Sequence, residues 1–445
     1  MADSTGAAGP SPATPGADIV GTAPAVSPSP GTLGRVAAAF TYPDFRNLWI
    51  GACTSSIGTW MQNVAQSWLV LTITSSAFYL GLDAFLGQLP IMLFTLIGGV
   101  VADRRDRRRV LLTSQYIQMT SAFTLALLVY LHVVRPATGP GGPAVSMTVW
   151  YVLALSFTTG CAQAFGGPAY QSLVPSLVQK KDLPNAIALN SIQFNLARII
   201  GPLLAGVALA TLGTVFCFTM NGLSFLAVIV SLLLLNVPPR VPLPPQPMLQ
   251  QLRVGLSYVR HEGPLFGLTI VAFVTTFLGM PLLTLLPVFV QKVFHLGVAE
   301  YSQMMAFQGA GAVVGALCVA WLGRFARMGR AALIVQIALG ALVAAFALSR
   351  TPALSYGLLF LAGIGQIVVF SLANSLVQLI VPNEMRGRVM SIYMVSFRGG
   401  MPLGSLTAGY LANLTSAPTV LVTNGLLLMA AGAGVLAGYK RLRDI

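Results

Sequence analysis

The sequence predicts an all-α membrane protein of twelve transmembrane helices arranged as two pseudo-symmetric six-helix bundles. Three observations predict it. Of 445 residues, 56% are hydrophobic and 8% are charged, with a mean hydropathy of +0.79, whereas a soluble globule carries about 25% charged residues. The apolar residues fall into runs long enough to cross a bilayer, with the basic residues between them. A weak internal repeat relates the first half of the chain to the second.

A window of about 19 residues resolves runs near 47–71, 79–101, 110–133, 148–167, 184–211, 215–236, 265–291, 301–323, 331–349, 353–380, 389–412 and 418–439. Threading them from a cytoplasmic N-terminus places twenty of the 25 Lys and Arg residues on the cytoplasmic side. Three fall outside (Arg135, Lys292, Arg350) and two within spans (Arg198, Arg398). Under the positive-inside rule this asymmetry puts both termini in the cytoplasm of a multi-pass protein. The expected location is the cell (plasma) membrane, a bacterial inner membrane. The net charge of +14 does not point to nucleic acid, because the positives lie between spans and not on one solvated face.

Residues 1–40, rich in Ala, Pro, Gly, Ser and Thr, read as a disordered cytoplasmic tail with no signal peptide. Residues 41–236 form the expected N-terminal bundle and 265–440 the C-terminal one, with 441–445 a second cytoplasmic tail. Between the bundles, the cytoplasmic linker 237–264 holds Pro238, Pro239, Pro242, Pro244, Pro245 and Pro247, then an amphipathic stretch through Leu252, Leu256 and Tyr258. Sliding 171–206 onto 374–409 without a gap gives nine identities in thirty-six, among them Gly201 with Gly404 and Gly206 with Gly409. A span and its partner six spans later share orientation, so the repeat is parallel. A cavity between the halves near the midplane then becomes the expected substrate site.

Between the second and third spans, Gly98 to Arg109 packs five arginines and two aspartates into a tight turn. Here the chain resembles the major facilitator superfamily over residues 40–440. The loop signature of that family appears as Gly99, Asp103, Arg104, Arg107 and Arg108. In detail it is similar to the branch of the enterobactin exporter and macrolide efflux pumps, the transmembrane secretion effectors. Phe45 to Trp49, Trp60 to Ala65, and Asn185 to Gly206 carry that similarity. Two departures stand out: Asp106 replaces a common Gly, and Tyr170 follows Pro168-Ala169 where the branch often has Arg.

The resemblance implies a secondary active transporter, exporting amphipathic drug- or siderophore-like small molecules by proton antiport with alternating access. The alternative is an importer or facilitator of a small metabolite with the same fold. The expected partners are a small-molecule substrate, protons and membrane lipids. No paired carboxylates, Ser-His arrangement or phosphate-binding loop supports an enzyme. Cys53, Cys161, Cys217 and Cys318 have unrelated spacing and read as free thiols, so neither metal nor cofactor is expected. A static scaffold or receptor is a further reading, made less attractive by charge kept within the spans.

In the first span Ser55, Thr59, Gln62, Asn63 and Gln66 share one helical face. Such a stripe serves either as interhelical glue or as cavity lining. Because the family's first span lines its cavity, the resemblance favours Gln62, Asn63 and Gln66 as substrate contacts, with Asn195 and Arg198 of the fifth span. A charge within a span costs at least about 2.5 kcal/mol at the bilayer centre. Arg198 is therefore either a structural pair with a carbonyl or an acid, or an anchor for an anionic substrate group. Arg398 beside Gly399-Gly400, and Gly201-Pro202, look like gating hinges, although close helix packing also selects such residues.

Proton coupling requires a carboxylate that exchanges its proton during transport. Asp83, about 30 Å along the helix from Asp103 and so near the outer surface, is the leading candidate; Glu300 is also near an outer end, and the spans otherwise hold no acid. Asp103 can pair with Arg107 at i+4 and face the start of a neighbouring helix. In the resembled family that neighbour is the eleventh span, which begins near Arg386-Gly387-Arg388. Such a latch closes the cytoplasmic side.

Overall fold

A computed structural model describes residues 38–134, 145–235, 248–439, 441 and 443. Residues 1–37 of the expected tail, the Pro-rich 237–247, Arg135 and Lys440 lie outside the described residues. Among the described residues every regular element is helical. The elements are α1 Pro43–Thr74, α2 Ala77–Arg104, α3 Arg107–Tyr130, α4 Val145–Leu173, α5 Leu183–Thr211 and α6 Gly213–Leu234, then the short α7 Met248–His261. There follow α8 Gly263–Gly279, α9 Pro281–Val288 running on through a π turn Phe289–Val293, α10 Val298–Leu322, α11 Met328–Leu348, α12 Pro352–Ile380, α13 Arg386–Leu414 and α14 Ala417–Gly438.

Local chemistry sets the helix boundaries. Pro43, Pro184, Pro264, Pro352 and Pro418 stand in first turns, where a missing N–H loses no helical bond. Asp106 makes the α2–α3 turn, its carboxylate accepting from the Arg108 backbone N–H at 2.9 Å and the Arg109 N–H at 3.5 Å as the N-cap of α3. The turn that the resembled family builds with glycine is thus built by a cap. Gly213, at φ +81°, lets α5 turn directly into α6 in a conformation that strains other residues.

Eight helical segments are long and apolar enough to cross a membrane, by length and composition: α2, α5, α6, the run Gly263–Val293, α10, α11, α12 and α14. By that measure α1, α3, α4 and α13 fall short of the twelve expected spans. Two of these carry polar groups for a reason seen below: α1 holds the polar stripe and α13 holds Arg398.

The core divides unevenly along the molecule. At the end away from α7, one continuous apolar cluster unites Val70 and Leu71 of α1 with Leu285, Phe289, Tyr301, Phe346 and Leu421 of the second half. Toward the end carrying α7, it splits in two. Phe45, Leu48, Leu111, Leu173 and Leu232 form a core among first-half residues, and Val259, Leu265, Leu372, Leu376 and Tyr393 form one among second-half residues. The halves are joined at the far end and parted at the linker end.

Each pair of glycines matched by the repeat meets a matched neighbour. Gly201 abuts Trp60 and Ile57 of α1, and Gly404 abuts Phe277 of α8; Gly206 abuts Ser302 of α10, and Gly409 abuts Gly81 of α2. Small residues here let helices approach closely, so packing supplies a reason for Gly201 independent of hinging.

Candidate functional site

Two chains of polar side chains cross the apolar interior, one within the first half and one between the halves. On α1, Gln62 is buried and its Oε1 accepts from Asn221 Nδ2 of α6 at 2.7 Å, while its Nε2 donates to Gln66 Oε1 at 3.4 Å. Gln66 Nε2 in turn donates to both Asp83 oxygens, at 2.9 and 3.1 Å, and to Ser156 Oγ of α4 at 2.7 Å. Ser156 donates its hydroxyl to Asp83 Oδ1. One chain of bonds therefore links α6, α1, α2 and α4. Asp83 lies about 9 Å along α2 from its far end, near that surface as expected, yet its carboxylate is turned inward onto Gln66 and Ser156.

Asn63 has a different setting. Gly51, Gly58 and Gln62 turn α1 toward α6, and Ile57 and Trp60 turn it toward α5. Ile50, Thr54 and Thr72 form an exposed outer face. Thr59, Asn63 and Gln66 lie on the side opposite that face, and Asn63 is exposed there, toward the opening between the cores.

A second chain joins the halves. Arg198 Nη2 donates to Gln308 Oε1 of α10 at 2.8 Å, and Gln308 Nε2 donates to Gln366 Oε1 of α12 at 3.0 Å. The guanidinium carbon of Arg198 lies 5.8 Å from the Trp60 ring centroid, a cation–π distance. Arg198 meets no carboxylate among the described residues. Arg398, half-buried on α13, forms no hydrogen bond or ion pair among them. Asn195 is not drawn into this chain: its Nδ2 donates to Ser191 O of its own helix at 2.8 Å.

Gln308, Gln366, Ser156 and Asn221 escaped the sequence reading, which followed charges and one polar stripe. Their signal is a lone amide or hydroxyl inside an apolar run, as in Met305 to Gly311 or Leu361 to Val368. Tyr170, at the position where the branch often carries Arg, donates its hydroxyl to Asn190 Oδ1 of α5 at 2.6 Å. Gln193 of the same helix donates to Ser56 Oγ of α1 at 2.7 Å. The departure is absorbed by a neutral network.

At the linker end the arginines of the α2–α3 turn act as staples. Arg107 Nη1 donates to Ser172 O at the end of α4, 2.8 Å, and Arg108 Nη2 to Leu233 O at the end of α6, 2.6 Å. Both satisfy carbonyls at the negative end of a helix. Asp103 is half exposed and pairs with Arg107 at 3.4 Å. Arg104 is exposed, and both Gly99 and Gly387 face open space. The structure does not bring Asp103 to Arg386 or Arg388. Behind the turn, the Tyr42 hydroxyl donates to Asp182 Oδ2 at 2.7 Å, and that bond raises the Tyr42 hydroxyl above its usual range.

The family described as transmembrane secretion effector matches residues 36–443. The chain is 28% identical over 408 residues to the multidrug efflux pump Tap of Mycolicibacterium fortuitum, covering 88% of this chain and 95% of that one. It is 27% identical over 416 residues to the enterobactin exporter EntS of Citrobacter koseri, covering 91% and 94%. Among solved structures it is similar to a bacterial homologue of the lysosomal transporter Spinster in an inward-facing, unoccupied conformation. The TM-score is 0.69 at 15% identity, with 93% and 98% of the two chains covered. The nucleoside transporter NupG gives a TM-score of 0.68 at 15% identity, covering 89% and 99%. These structural likenesses concern the fold alone.

Proposed function

The chain belongs to the transmembrane secretion effector family of the major facilitator superfamily, and from that premise we propose that it exports amphipathic small molecules, drug- or siderophore-like, by proton antiport. Twelve spans in two six-helix bundles carry the cycle, with both termini and α7 on the cytoplasmic side of a bacterial inner membrane. The observation that carries this reading is the core joined at the far end and parted at the linker end, with Arg198 and Gln308 bridging the halves where they part. In that orientation the structure is open to the cytoplasm, the state that loads an export substrate. Alternating access then consists of closing the linker end and separating the far end about this bridge.

Each polar group takes a role. Asn63 and Gln66 contact the substrate from α1, with Gln62 holding Gln66 in place. Arg198, a cation without a carboxylate partner, anchors an anionic group of the substrate. Asp83, the one carboxylate inside the apolar stretch of a described helix, exchanges the proton. Gln66 stands on the lining face of α1 and donates to both Asp83 oxygens, so the protonation state of Asp83 and substrate contact are linked through one amide. Asp103 and the start of α13 form the cytoplasmic latch of the opposite state, which is why they stand apart here.

The purified chain in liposomes should accumulate or release a test compound when a pH gradient is imposed, without nucleotide. Absence of gradient-driven movement across a broad panel of amphipathic compounds overturns the proposal. The importer or facilitator reading is favoured by one observation, the place of Asp83 toward the far end instead of mid-membrane. Transport unchanged when the gradient is collapsed would establish it.

A further inference from the structure

The far end carries a cavity that the transport reading does not use. It has a volume of about 810 Å³ and lies among the start of α2, the π turn after α9, the end of α11 and the α13–α14 connection. That size falls within the range of small-molecule sites. Among the described residues its wall contains Lys292 and Arg350, the cations on that side of the molecule, and no carboxylate. Val288, Leu348 and Val422 supply apolar surface, and the hydroxyls of Thr415 and Ser416 line the rim. α14 begins in this wall, adding the positive end of its dipole. Arg350 is exposed and makes no hydrogen bond or ion pair among the described residues.

Lys292 is already committed to the closure of the far end. Its Nζ donates to Ser75 O across the two halves at 2.6 Å, and Asn413, another wall residue, accepts from Ser76 Oγ at 3.0 Å. Two of the bonds that close the far end therefore come from the cavity wall. An anion seated between Lys292 and Arg350 competes with a neutral carbonyl for the same ammonium, and a charged acceptor is the stronger partner.

We propose that this cavity binds amphiphiles carrying a phosphate or carboxylate headgroup, and that occupation draws Lys292 from Ser75 and favours opening of the far end. The headgroup pairs with Lys292 and Arg350 while its apolar body lies along Val288, Leu348 and Val422. A free amphiphile and an anionic lipid present the same chemistry to the site.

The test uses the full chain in phosphatidylcholine nanodiscs with the four cysteines replaced by serine. Spin labels are placed at Leu131 and Leu354, both exposed, at the far ends of α3 and α12 and outside the cavity lining. Octyl phosphate should shift the distance distribution toward longer separations in a saturable way, and octanol should not. The shift should be lost in K292Q/R350Q and retained in K292R. In nanodiscs containing phosphatidylglycerol, the same shift without added ligand, again lost in the double variant, assigns the site to lipid. The proposal is overturned if neither octyl phosphate nor phosphatidylglycerol shifts the distances, or if the double variant responds like the native chain. The readout needs no transport, so it stands or falls apart from the export assignment.

Discussion

Gly81 of α2 and Gly409 of α13 meet backbone to backbone: a Cβ on Gly409 would stand 2.9 Å from the Gly81 Cα and 2.6 Å from the Ala77 carbonyl oxygen. At the other ends of the same two helices Gly99 and Gly387 face open space. The pair is thus the tight end of a wedge. Gly409→Ala has to push α2 away, so it should weaken the present conformation and populate the one closed at the linker end. Reactivity of a cysteine placed at Ile97, exposed on the linker half of α2, should fall relative to the same cysteine with Gly409 intact. Equal or greater reactivity contradicts the wedge.

Asp83→Asn should leave a folded protein that no longer answers a pH gradient. The amide keeps one acceptor for Gln66 and Ser156 but cannot ionise, so compound-dependent proton movement into liposomes should vanish while compound binding persists. Proton movement at the native rate would remove Asp83 from the coupling role and favour the facilitator reading.

Gln308→Leu isolates what the bridge contributes. Arg198 loses its hydrogen-bond acceptor and retains Trp60. A hydrogen bond to a charged group contributes about 1.5–3 kcal/mol, and thermal unfolding should register a loss of that order. Arg198→Gln should instead reduce binding of anionic compounds more than about tenfold, with uncharged compounds little affected. An equal loss for both classes would make Arg198 a structural residue.

Asp106 can be tested for capping alone. Asp106→Ala removes the acceptor of the Arg108 and Arg109 amides and should destabilise by about 1 kcal/mol, whereas Asp106→Gly should cost only a few tenths. Melting temperatures of the two variants in detergent check the order. A glycine variant as unstable as the alanine one would mean that the Arg109 side-chain pair at 3.5 Å, and not the cap, holds the turn.

The elements legible in the sequence were those with a local cause. Apolar runs gave the helices within a few residues, and Gly201 and Gly206 foretold their counterparts because close packing leaves a residue-level mark. The stripe on α1 was legible as a face, but which of its members joins a network and which meets the opening depends on neighbours. Gln62 is buried against Asn221 while Asn63, one residue on, is exposed. The Arg198–Gln308 bridge was invisible because its partner lies 110 residues away and is neutral, so no charge pattern announces it. The inward turn of Asp83 was hidden likewise, since it rests on Ser156 of α4.

Asp103 gives the most direct test of the proposed alternation between two conformations. In the present one it is half exposed and pairs with Arg107, an arrangement contributing about 0–1 kcal/mol, so Asp103→Asn should scarcely change the stability of the linker-open form. In the opposite form the carboxylate is expected to meet the start of α13 beside Arg386 and Arg388, where its charge faces a helix N-terminus and two guanidinium groups. The substitution should therefore act on the equilibrium and not on the fold. Melting temperature should stay near native, spin-label distances across the linker end should lengthen on average, and export should slow while binding from the cytoplasmic side is preserved. A variant that melts lower with unchanged distances would make Asp103 a support of the α2–α3 turn and leave the latch without its acid.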